Sequence, residues 1–90
     1  REKTILERER LLSELMDMGI RVVPTHTSFL LLEMEDAELV AEHLLHEGII
    51  VRLGSDLEIP GYLRVSVGLP EDNESFILAL RKTMKRLGKR

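Results

Sequence analysis

Ninety residues fit one small domain with a single core, and thirteen Lys and Arg against sixteen Asp and Glu leave a formal charge of −3 of mixed sign. With one Tyr, two Phe and no Trp, the chain has neither the basic field nor the stacking rings of a nucleic-acid binder. No apolar run approaches the ~18–20 residues of a membrane span, and the lack of cysteine excludes a disulfide framework and a thiolate metal site, as expected of a cytoplasmic protein.

The chain opens on Arg1, without an initiator Met, and runs at once into a helical pattern with Thr4 as its one candidate cap. It is therefore expected to be an excised or processed piece of a longer polypeptide. Over residues 1–18, Ile5, Leu11 or Leu12, Leu15, Met16 and Met18 recur at helical spacing among charged residues, and Gly19 is the expected stop. Ile20 to Val23 form a short β-branched strand that Pro24 ends or demotes to a sheet edge. His26, Thr27 and Ser28 are turn-like. The run from Phe29 to Met34 has four apolar residues in succession, leaving neither face polar, and is expected to be a central strand.

Asp36 is placed to cap a second helix carrying Ala37, Val40, Ala41, Leu44 and Leu45, with Gly48 marking its end. Ile49 to Arg52 read as a third strand, residues 53–61 as a connecting loop, and Tyr62 to Gly68 as a fourth strand. Pro70 suits the first turn of a last helix, where Glu71, Asp72 and Glu74 favour its N-terminus and Arg81, Lys82, Lys85 and Arg86 its C-terminus. Leu69 is a poor cap. This order predicts an α+β fold: a two-layer sandwich in which a small antiparallel or mixed four-stranded sheet carries helices on one face.

The uncovered face is where chemistry is expected. In the fourth strand, Leu63, Val65 and Val67 share one side and Tyr62, Arg64 and Ser66 the other. A guanidinium on a rigid strand, with no acid in that strand, can grip a carboxylate or phosphate by a bidentate fork. Arg52, if its strand lies beside the fourth, joins Arg64 with Ile50. The alternative is that both arginines are solvated, or that Asp56 and Glu58 fold back onto them as ordinary exposed ion pairs. His43 and His46, three apart on a helix, lack a third metal ligand and read as a solvated face, as does His26 in its turn. No nucleophilic triad, paired catalytic carboxylates, phosphate-cradling Gly loop or Lys in an apolar strand is present, so no residue of this chain is expected to be catalytic and no metal is expected.

The runs GIIVR at 48–52 and YLRVSVG at 62–68, followed by the ED-N-E-x-F-x-x-AL pattern of the last helix, resemble in order and spacing the C-terminal small domain of fold-type I pyridoxal-phosphate aminotransferases, histidinol-phosphate aminotransferases in particular. The segment ERERLLSELMDMGIRVVPTHTSFLLLEM resembles the helix and the P-S-x-A-N-F-x-L-like strand that precede them, so the resemblance covers nearly the whole chain. Thr27 and Ser28 depart from that pattern, as does Leu69, where a Thr cap is usual. The resemblance implies that residues 1–90 are one small domain of a larger, homodimeric enzyme. Arg64 and Arg52 would be its substrate-binding residues, Tyr62 and Ser66 candidate lining, and pyridoxal phosphate would be held mainly by a large domain of the same chain. The implied reaction passes an amino group between L-glutamate and imidazole acetol phosphate in histidine biosynthesis. Threonine-phosphate decarboxylase, or another class I/II aminotransferase domain, is a related alternative. A stand-alone anion-binding or protein-interaction module is the alternative of another class.

Overall fold

Two layers meet at one apolar seam, in the order helix, strand, strand, helix, strand, strand, helix that the hydrophobic spacing predicts. The computed structural model describes residues 2–26, 29–54 and 61–88, with the side chains of residues 5–23, 29–54 and 61–88. The elements are α1 (Glu2–Asp17), β1 (Arg21–His26), β2 (Phe29–Glu33), α2 (Ala37–His46), β3 (Arg52–Leu53), β4 (Tyr62–Ser66) and α3 (Pro70–Arg86). The four strands form one sheet in the order β1-β2-β4-β3, and every neighbouring pair is antiparallel.

The core lies between the sheet and all three helices. Leu30 and Leu32 of β2 and Leu63 and Val65 of β4 point to the same side, where they meet Leu11 and Leu15 of α1, Val40 and Leu44 of α2, and Phe76, Ile77 and Leu80 of α3. Each helix contributes residues three or four apart, because 3.6 residues per turn return that spacing to one face. The same geometry corrects part of the expected core. Met16 and Leu45, one residue past Leu15 and Leu44, are turned about 100° away and are exposed, as is Ile5. The central position expected of β2 holds, with Leu30, Leu31 and Leu32 all buried.

The C-terminus of α2 closes where the sequence expects it. At α2, Gly48 adopts φ +84°, its N–H donates to the Leu45 carbonyl at 2.9 Å, and the Ile49 N–H reaches back to the Leu44 carbonyl at 2.9 Å. This left-handed closure satisfies carbonyls that the last turn would otherwise orphan. It also corrects the third strand. Because Ile49 is spent on closing the helix, pairing begins only at Arg52 and extends to Leu53, which the sequence reading leaves in the loop.

Further findings concern strand and helix ends. Of the two readings of Pro24 the edge holds: β1 is an edge strand and continues past Pro24 to His26, with a register irregularity between the two. β4 stops at Ser66, two residues short of Gly68. Thr4 lies inside α1 and is not its cap, and Asp36, although at the N-cap of α2, makes no side-chain capping bond there. Thr27, Ser28, Asp56 and Glu58 lie outside the described residues.

Leu69 occupies the N-cap of α3 with extended backbone and no capping side chain. Asn73 replaces it. Its side chain is almost fully buried; its Oδ1 accepts from the Gly68 N–H at 2.9 Å, while its Nδ2 donates to the Gly68 carbonyl at 3.0 Å and to Glu7 Oε1 at 2.9 Å. One amide thus fastens the end of β4, the first turn of α3 and the flank of α1. Arg10 completes the cluster, pairing with Glu7 at 3.1 Å and Glu74 at 3.2 Å.

Candidate functional site

The sheet face opposite the helices brings together the residues that the alternation of β4 singles out. Pairing sets Arg64 directly across from Arg52 on one side and from Leu31 on the other, while Ser66 pairs with Phe29 and Tyr62 with Glu33. Because directly opposite residues of an antiparallel pair point to the same side, Arg52, Arg64, Leu31 and, two steps along, Phe29, Tyr62 and Ser66 share the face. Beyond Leu31, Val23 of β1 continues the row. The face is therefore part apolar, with two cations facing each other near its far edge. Ile50, expected to stand with Arg52, precedes the ladder and is 83% exposed.

The two arginines sit differently. Arg52 is exposed, whereas Arg64 is half-buried, its guanidinium lying 4.3 Å from the centroid of the Phe29 ring. The Nε of Arg64 is buried and has no hydrogen-bond partner among the described residues. Three other arginines are matched: Arg10 with Glu7 and Glu74, Arg21 with Glu33 at 3.3 Å, and Arg81 with Glu14. Among the described residues no carboxylate pairs with Arg52 or Arg64. Two like charges on facing strands repel, by roughly 1 kcal/mol at ~5 Å in water and more where solvent is excluded, and an anion placed between them would relieve that repulsion.

Titration is perturbed away from this face. Hydrogen bonds from Arg10 and then from Asn73 hold the Glu7 carboxyl below its ordinary value, and the same Glu7 contact raises the Arg10 guanidinium. These shifts belong to the packing of α1 against α3. His43 and His46 lie on the helix side, in a groove of about 310 Å³ between α2 and α3 that Lys82, Thr83 and Arg86 also line. Among the described residues no group of three or more His, Asp or Glu side chains is set to hold a metal.

A carbonyl cofactor captured as a Schiff base needs a lysine aimed into the site. Lys82 and Lys85, the lysines with described side chains, sit exposed on α3, in the layer on the other side of the sheet. These residues do not fit a pyridoxal phosphate site.

Two contacts escape sequence reasoning. Phe29 reads there as core strand, and its stacking on Arg64 becomes visible only once the β2–β4 register sets the two diagonally. Asn73 reads as one polar residue of a helix start, although an amide before an apolar helix run with no N-cap was the available signal.

Comparison with known proteins adds the following. A family model described as aminotransferase class I and II matches residues 1–80. The chain is 45% identical over 67 residues to histidinol-phosphate aminotransferase 1 of Idiomarina loihiensis, covering 73% of this chain and 18% of that protein. It is 40% identical over 82 residues to histidinol-phosphate aminotransferase 3 of Rhizobium meliloti, covering 90% and 22%. Among solved structures, the histidinol-phosphate aminotransferase of Clostridium acetobutylicum superposes with a TM-score of 0.81 at 28% identity, over 89% of this chain and 26% of that one. The chain thus spans about a fifth of the length of the curated relatives it matches.

Proposed function

We propose, since this chain belongs to the class I and II aminotransferase family, that residues 1–90 are the small domain of a pyridoxal-phosphate-dependent transaminase, in which Arg64 and Arg52 bind the anionic end of the substrates. The substrates that fit are those of histidinol-phosphate transamination: L-glutamate as donor and imidazole acetol phosphate as acceptor, in histidine biosynthesis. One carboxylate and one phosphate must then use a single pocket in turn. A planar guanidinium accepts either by two parallel N–H···O bonds.

The observation that carries this is the facing of Arg52 and Arg64 across the β3–β4 ladder, with no carboxylate paired to either among the described residues. Tyr62 and Ser66 flank Arg64 on the same side and are available as lining. Pyridoxal phosphate, when bound, takes up and hands on the amino group, and belongs on this reading to a large domain of the same polypeptide. The uncovered face is the wall that domain closes. The complete enzyme is a cytoplasmic homodimer in this reading.

What the present residues do is bind, orient and exclude. The sheet sets both arginines on facing strands before the ligand arrives, and Arg64 is already held against the Phe29 ring, while the apolar row of Leu31 and Val23 borders one side of the site. In the full-length protein, Arg64→Ala is expected to lower kcat/KM for imidazole acetol phosphate by 100-fold or more, the scale of a lost charged hydrogen bond in a closed site. Arg64→Lys should be nearly as poor, since an ammonium cannot reproduce the fork. Near-wild-type transamination by Arg64→Ala removes the residue from this role.

A further inference from the structure

We infer that Phe29 is a positioning residue for Arg64: its ring supports the guanidinium from the face and thereby sets the plane in which the anion is bound. This rests on the substrate-binding role proposed for Arg64 and extends it to a residue of a different strand.

Geometry carries the inference. Phe29 pairs with Ser66, two residues from Arg64, so the two side chains are diagonal neighbours on the same face of β2 and β4, the distance that an aromatic ring and a long cation can bridge. The guanidinium carbon stands 4.3 Å from the ring centroid, inside the roughly 6 Å range of a cation–π contact. Both residues lie within the paired stretch of the two central strands, which fixes where the ring stands relative to the arginine's backbone.

The chemistry of the support matters more than its presence. A carboxylate would hold an arginine by its N–H groups, using the donors that a ligand needs and cancelling the charge. An aromatic face attracts the cation through its quadrupole and leaves the donors, which lie in the guanidinium plane, unused. It also restricts a side chain with four rotatable bonds, so less freedom is lost when the anion binds. The contrast within the molecule is direct. Arg10, Arg21 and Arg81 are held by carboxylates, and Arg64 is held by a ring.

The test uses the full-length enzyme with L-glutamate and imidazole acetol phosphate as probes, and compares Phe29→Leu, Phe29→Tyr and Arg64→Ala. Phe29→Leu keeps an apolar side chain and removes the quadrupole; KM for both substrates is expected to rise about 5- to 30-fold, with kcat changed less than about threefold. Phe29→Tyr, which restores a ring, is expected to return KM to within about twofold of wild type. Fluorinated phenylalanines at position 29, which weaken the quadrupole at nearly constant shape, should raise KM stepwise, and this series stands if the leucine variant fails to fold.

Unchanged KM across Phe29→Leu and the fluorinated series, with Arg64→Ala strongly impaired, overturns the positioning role and leaves the arginine's role intact. An unimpaired Arg64→Ala overturns both. Equal impairment of Phe29→Leu and Phe29→Tyr also overturns it, since packing alone would then account for the residue.

Discussion

Replacing Asn73 with alanine should loosen the domain at the point where its site-bearing strand ends. The amide makes two bonds to the Gly68 backbone, at 2.9 and 3.0 Å, and a third to Glu7 at 2.9 Å. At a net ~1 kcal/mol per neutral hydrogen bond, the Gly68 pair alone amounts to about 2 kcal/mol, and the Glu7 contact adds to that. Alanine cannot supply a substitute, because Leu69 at the N-cap offers no side-chain bond. Asn73→Asp is the sharper probe. Its shape is preserved, but a carboxylate cannot donate to the Gly68 carbonyl and meets Glu7 as a like charge, so aspartate should destabilise at least as much as alanine near neutral pH. Equilibrium urea unfolding of the chain, with the slope unchanged between variants, measures both. An alanine variant within about 0.5 kcal/mol of wild type, or an aspartate variant as stable as wild type, would refute the role given to this amide.

Other expectations follow from the same contacts. Because Arg10 and Asn73 lower the Glu7 pKa in the folded state, the stability this carboxylate contributes is present above the unfolded carboxylate value of ~4.3 and is lost as pH falls through the folded value. The difference in urea midpoint between wild type and Glu7→Gln should therefore be largest near pH 6–7 and close progressively below about pH 4.5; a pH-independent difference contradicts it. Gly48→Ala meets no atom within 4 Å, yet φ is +84°, so the cost is conformational, about 1–2 kcal/mol by denaturant unfolding; a neutral substitution would mean that the helix closes in another way. Leu63→Ala, which empties a fully buried position beside Arg64, is expected to cost about 2–5 kcal/mol, read by the same titration, and a loss under about 1 kcal/mol would contradict the packing described.

What sequence could and could not disclose divides along physical lines. The alternation of β4 was legible because a strand's period of two is local, and it sorted Leu63 and Val65 from Arg64 without knowledge of any partner. The pairing of Arg52 with Arg64 could be expected only as a consequence of a hairpin, and the structure places them opposite each other. The start of β3 was misread because Ile49, Ile50 and Val51 have strand propensity, while the closure at Gly48 takes the Ile49 N–H first. Pro24 leaves two readings open, an end or an edge, and the edge is the one realised, because a missing donor matters much less there than in a central strand. Asn73 and Phe29 were harder still. Each acts through a side chain reaching a residue whose nearness depends on the finished fold, and no spacing along the chain encodes that.

The most direct test of the account is kcat/KM for imidazole acetol phosphate in the full-length protein carrying Arg52→Ala, Arg64→Ala and both. Two cations on one anion should show losses of tenfold or more for each single change and a double loss smaller than their product, because neighbouring groups that share a ligand are coupled. A wild-type kcat/KM in either single variant contradicts the shared clamp.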